Sequence, residues 1–307
     1  MRILYPKPLS VIASEAAETE TIPEWAAGEY AQSDKVIRSV AVENAAIDVS
    51  AIDYVFEAGV GTSADPASGS LDWINRGASE AYKVFDESIT TRSPYASGSI
   101  LEIRALKLDG VFLSRFNGSA LLEAFDASGD MPFFSRLVTA SSNLYEPAAS
   151  WTTYFFRDLI STGAAQDILV EIPARVSGVR IRLTAQTGGF SLGKIIAGVS
   201  MEIGKTMIPP TVGINDYSIK AVDENGNIYI KEKAFSKVIS FEVWIATARF
   251  DQIASLLALL RAKPTVYIGD DLARFSSLSV YGTYRNFSML LSGEDISDCT
   301  LEIEGIT

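Results

Sequence analysis

Period-two alternation of apolar and charged residues constrains this chain more than any other feature. Leu101, Ile103 and Ala105 alternate with Glu102 and Arg104. Ile168, Val170 and Ile172 alternate with Asp167 and Glu171, and Val179, Ile181 and Leu183 with Arg180 and Arg182. Near the end, Cys299, Leu301 and Ile303 alternate with Thr300, Glu302 and Glu304. Side chains on a strand point to opposite faces in turn, so each run predicts a half-buried antiparallel strand. Between the runs lie turn formers: Asp109-Gly110, Asn117-Gly118, Ser128-Gly129, Ser177-Gly178 and Gly188-Gly189. Short strands closed by such turns predict a mainly β protein of β-sandwich or jelly-roll type.

The 307 residues suffice for two or three units, each with its own core. Four segments are expected. Residues 1–24 hold a short apolar-proline stretch and the aperiodic run SEAAETE, and read as an arm or linker. Residues 25–83 form a small aromatic β module around Trp25, Tyr30, Tyr54, Phe56 and Trp73. Residues 84–207 form the β-sandwich or jelly roll. Met207-Ile-Pro-Pro210 marks a boundary, since adjacent prolines make a stiff connector.

Residues 208–307 read as a C-terminal antiparallel β domain with one helix. Asn225-Gly226 between Tyr217–Val222 and Ile228–Lys231 is a hairpin signal. Thr247 is placed to cap a helix whose apolar residues are Phe250, Ile253, Leu257 and Leu260, and Lys263-Pro264 stops it.

Composition narrows the chemistry. Histidine is absent and there is one cysteine, which removes Ser-His-Asp and Cys-His arrangements, His-ligated metals, Cys₄ zinc and intrachain disulfides. Net charge is −12, and it is even: 8 acids against 4 bases over residues 1–50, 17 against 13 over 51–207, and 13 against 9 over 208–307. Nucleic acid requires clustered Lys and Arg, so it is not expected as a partner, and neither is membrane insertion. No apolar run reaches transmembrane length, and the opening MRILYPKPLS does not read as a signal peptide.

Few residues carry candidate chemistry. Asp270-Asp271 and Glu294-Asp295 are paired acids, but neighbours on a strand point apart and both pairs fall at loop ends, so solvated acids are expected. Asp223–Asn227 lacks the spacing of a calcium loop. Gly188–Gly193 opens no helix and lacks a P-loop lysine. Cys299 falls on the inward beat of its strand, as a small buried hydrophobe does. Trp25, Tyr30 and Trp73 form either a carbohydrate-binding platform, since sugar faces stack on flat rings, or the core that a small module lacks. No catalytic residue, metal ligand or cofactor is assigned.

The spacing Trp25-x-x-Gly28-x-Tyr30-x-x-x-Asp34-x-Val36, followed by Pro66 and Trp73, resembles a degenerate chitin-binding-type module of a kind that recurs in phage tail proteins. The wider chain resembles tail-tip and baseplate structural proteins of tailed bacteriophages. That resemblance rests on Asp72-Trp-Ile-Asn-Arg76, Val84-Phe85-Asp86, Trp151-Thr-Thr-Tyr-Phe-Phe156, Gly189–Gly204, Val280-Tyr-Gly-Thr-Tyr284 and Cys299-Thr-Leu-Glu-Ile-Glu-Gly305. It implies a structural, non-enzymatic virion part in a viral tail, made in the host cytoplasm. It also implies a homo-oligomer in a threefold or sixfold ring, contacting the hub, the end of the tail tube and fibres, with its outer domains facing host surface glycan. The alternative is a carbohydrate-binding, receptor-recognition protein. A glycosidase using two carboxylates is a third reading.

Overall fold

The computed structural model describes the whole chain except residues 18–20, 42–48, 50, 87, 89–90, 128, 141–165, 174–177, 208–209, 223–227, 270–277 and 307. The described residues are mainly β, with one α-helix. None of their helices is long and apolar enough to cross a membrane.

The chain opens with β1 (Arg2–Pro6) and β2 (Leu9–Ser14). A separate three-stranded sheet follows: β3 (Lys35–Ala41), β4 (Ala51–Ala58) and β5 (Trp73–Ala78). Next come β6 (Ser93–Tyr95), β7 (Ile100–Leu106), β8 (Gly110–Asp126), β9 (Pro132–Thr139), β10 (Gln166–Glu171), β11 (Gly178–Leu192) and β12 (Lys194–Glu202). The C-terminal part holds β13 (Lys205–Thr206), β14 (Thr211–Asp216), β15 (Ile219–Val222), β16 (Ile228–Lys231), β17 (Phe235–Ala246), α1 (Phe250–Leu259), β18 (Thr265–Ile268), β19 (Ser279–Leu290) and β20 (Ile296–Gly305).

Fifteen strands join in one sheet, whose spine runs β13-β17-β20-β19-β18-β1-β12-β8-β11-β7-β2. Side strands branch from β8, β11 and β17, and β8 carries two of them. The first half of β8 pairs with β12 and β10, and the second half with β11 and β9. The bend between them falls at Arg115 (φ 52°) and Gly118 (φ 105°). Asp167 pins it by accepting hydrogen bonds from the Ser114 hydroxyl at 2.8 Å and the Arg115 amide at 3.0 Å. Gly118 is required there, because a Cβ would stand 2.4 Å from the Gly189 carbonyl oxygen. Both halves of β8 therefore line one sandwich core, with Val111, Leu113 and Phe116 from the first and Ala120, Leu122 and Ala124 from the second.

The expected alternation is present, with one difference. Glu102 on the charged beat of β7 is buried, paired with Arg182 at 2.7 Å and Arg180 at 3.4 Å on β11. Both guanidiniums lie about 5 Å from the Phe125 ring.

Residues 1–24 do not form a free arm at their start. β1 sits inside the sheet, paired with β12 on one side and β18 on the other, and Ile3 and Leu4 are fully buried. The prolines at 6 and 8 end the strand and turn the chain to β2. The sheet thus passes straight across the boundary expected at Met207–Pro210. The apolar clusters still separate: the sandwich core lies on one side of β1, and a C-terminal core around Phe241, Tyr267 and Leu301 on the other. A third cluster on the opposite face of the sheet holds Leu4, Phe112, Ile196, Val266 and Tyr281. The curl over it brings Arg2 on β1 within 2.6 Å of Glu171 on β10, across two intervening strands.

The helix packs as its period predicts. Ile253 and Leu257 are buried, with Leu260 just past the last turn, and Phe250 is partly buried against the same core. Its start differs from expectation. A 3₁₀ turn, Thr247–Arg249, precedes it, and the Thr247 hydroxyl donates to the Gly293 carbonyl and hydrogen-bonds the Ser297 hydroxyl, and does not accept from a helix amide.

Candidate functional site

The three aromatics singled out in the sequence meet in the small module. Val36 opposes Phe56, and Ala58 opposes Trp73, so these side chains share one face of the β3–β4–β5 sheet. Trp73 is only 7% exposed, and its indole N–H donates to the Ala64 carbonyl at 2.9 Å. Tyr30 stands edge-on to it, with ring centroids 5.4 Å apart. The Tyr30 hydroxyl donates to the Ala26 carbonyl at 2.7 Å. Trp25 is half-buried under Arg38, whose guanidinium carbon is 4.8 Å from the ring. Arg38 in turn grips Asp65 through two hydrogen bonds, at 3.1 and 2.8 Å. That grip and the Ala67 amide hold the Asp65 carboxyl below its usual range. The trio closes a miniature core, and the Trp73 ring has no open face for a sugar.

The module also merges with the sandwich. Ile52 and Ala78, at the far ends of β4 and β5, belong to the sandwich core. On the module itself lies a cleft of about 290 Å³ lined by Ile22, Lys35, Glu57, Arg76, Glu80 and Lys83. Its acids are matched by bases: Arg76 meets Glu57 at 2.9 Å, and Lys83 meets Glu80. The hydrogen bond from Arg76 holds the Glu57 carboxyl below its usual range.

The other flagged residues are structural or lie outside the described residues. Asp270-Asp271 and Asp223–Asn227 fall among the latter, as does Trp151–Phe156. Glu294 and Asp295 are exposed in the connection before β20. Gly189 (φ 74°) lets the chain pass the Tyr95 carbonyl, where a Cβ would be 2.3 Å away. Cys299 is buried in the C-terminal core, and burial pushes its thiol up to about 11. Among the described residues no three His, Cys, Asp or Glu side chains gather where they could hold a metal.

Two features escaped the sequence reading, both at the C-terminal end. First, the Glu304 carboxylate collects donors from four residues. Arg285 binds it at 2.7 and 3.0 Å, Tyr217 at 2.9 Å, Ser236 at 3.0 Å and Asn215 at 3.3 Å. Arg285 foremost holds that carboxyl down to about 2. Second, the hairpin strands expected at Tyr217–Val222 and Ile228–Lys231 are present as β15 and β16, but the sequence did not show that β14 and β17 lead into them as one long two-stranded arm, with a break at Tyr217 and Ala234. The arm exposes Val212, Ile214, Tyr217, Ile219, Tyr229, Ile230 and Phe235, each between 43% and 67%. Tyr217 at its elbow is tied to Glu304.

Compared with known protein families, curated proteins and solved structures, the chain matches none.

Proposed function

We propose that this chain is a structural component of a bacteriophage tail tip or baseplate. Copies of it join in a threefold or sixfold ring through residues 208–307, and the aromatic module and sandwich face outward. The observation that carries the reading is the arm. Two strands of this length have no core of their own, yet this pair exposes seven large apolar residues and is anchored at its root by a five-bond carboxylate. Soluble monomers rarely show such patches unless a partner covers them. The resemblance to tail-tip proteins supplies the identity of the assembly.

The test is complementation of a phage lacking this protein. A Tyr229→Ser, Ile230→Glu double variant should fold normally and be missing from purified particles. Particles that carry the variant at the wild-type level would sink the reading. The alternative, a carbohydrate-binding protein, is favoured by the half-exposed Trp25 alone. Glycan-array binding that disappears in Trp25→Ala, with incorporation into particles unaffected by the arm variant, would replace the first reading with the second.

A further inference from the structure

We infer that the free chain forms a twofold dimer through β14, before and apart from any ring assembly. Among the described residues β14 pairs only with β17, so its outer backbone edge is open. Open, apolar edges associate with another strand unless something blunts them, and Thr211–Asp216 carries one charge and no internal proline.

A second copy of this chain fits that edge by its own pattern. Antiparallel pairing of β14 with itself, centred on Gly213, sets Val212 opposite Ile214 on one face. It sets Thr211 opposite Asn215 on the other. Apolar then meets apolar and polar meets polar, twice over, as an isologous contact demands. Gly213 stands on the axis, and nothing lies within 4 Å of where its Cβ would be, so two backbones can approach closely there.

The same register leads each arm toward the second copy's β13, beside which Trp244 is 43% exposed. Val212 and Ile214, the pair this register sets face to face, are 43% and 65% exposed in the single chain. The dimer would shield in solution the edge that a ring contact later needs.

Sedimentation velocity of the full chain at micromolar concentration should show a dimer. Ile214→Glu should give a monomer with unchanged circular dichroism and melting, since Ile214 is 65% exposed. Directly opposed antiparallel residues lie about 4.5–5.5 Å apart at Cα, within disulfide range. A Gly213→Cys variant should therefore cross-link to itself on mild oxidation, whereas Thr211→Cys, off the axis, should not. Native Cys299 is buried and does not compete. A monomer under all conditions, a trimer or hexamer, or a dimer that Gly213→Cys fails to cross-link would each overturn the proposal. The tail reading is tested on particles and stands or falls separately.

Discussion

Glu304 shows how a surface carboxylate becomes a structural hub. Its five hydrogen bonds come from residues 19 to 89 positions away, so no local motif announces it. In the sequence it is only the charged beat of the last strand. The folded carboxyl sits near 2 against 4.5 for an unperturbed one. A depressed carboxyl stabilises the fold above its unfolded value and loses that contribution as pH falls toward the folded one. Because Arg285 is 45% exposed, solvent screening reduces the contribution to about 1–2 kcal/mol. Glu304→Gln should therefore lower stability at pH 7 by that amount and shrink the difference between urea melts at pH 7 and pH 3. An unchanged difference would show that the hub contributes nothing. Cys299 was legible where Glu304 was not, since its inward position follows from alternation alone. The aromatic trio was legible as a group. What covers Trp25 was not legible, since Arg38 is held over it by Asp65, 27 positions away.

At the scale of elements, periodicity was readable and partners were not. Helix α1 is placed by Ile253, Leu257 and Leu260, and a Leu257→Asp change puts an unpaired charge among Phe241, Tyr267 and Leu301. The expected cost is at least about 3 kcal/mol, enough to remove the cooperative melt of the C-terminal part. A soluble variant with an unshifted melting temperature would refute the packing. The cap was misjudged because Ser297 and the Gly293 carbonyl, some 50 residues on, claim the Thr247 hydroxyl. β1 was misjudged for a related reason. Four residues between an N-terminus and a proline give too short a pattern to distinguish a frayed end from a central strand. Only the two flanking strands make it the latter.

At the scale of the whole molecule, the mainly β class and the lone helix were plain from alternation and turns, and the continuity of the sheet was not. The C-terminal core and the cluster on the opposite face share β1, which gives Ile3 to the first and Leu4 to the second, while its neighbour β12 carries the sandwich core. Leu4→Ala should cost about 2–5 kcal/mol. Calorimetry should show the wild-type chain melting in one transition that moves as a whole in this variant. Two resolved transitions, with only one displaced, would show that β1 does not couple the halves.

The position of β1 also orders events in time. β1 precedes both of its neighbours in the chain, one at Gly198–Glu202 and the other at Val266–Ile268. Both edges of β1 are therefore paired only once Val266–Ile268 has been made. Contacts so distant close late and slowly. A chain stopped before Thr265 holds β1 against β12 alone, with the edge that β18 covers left open.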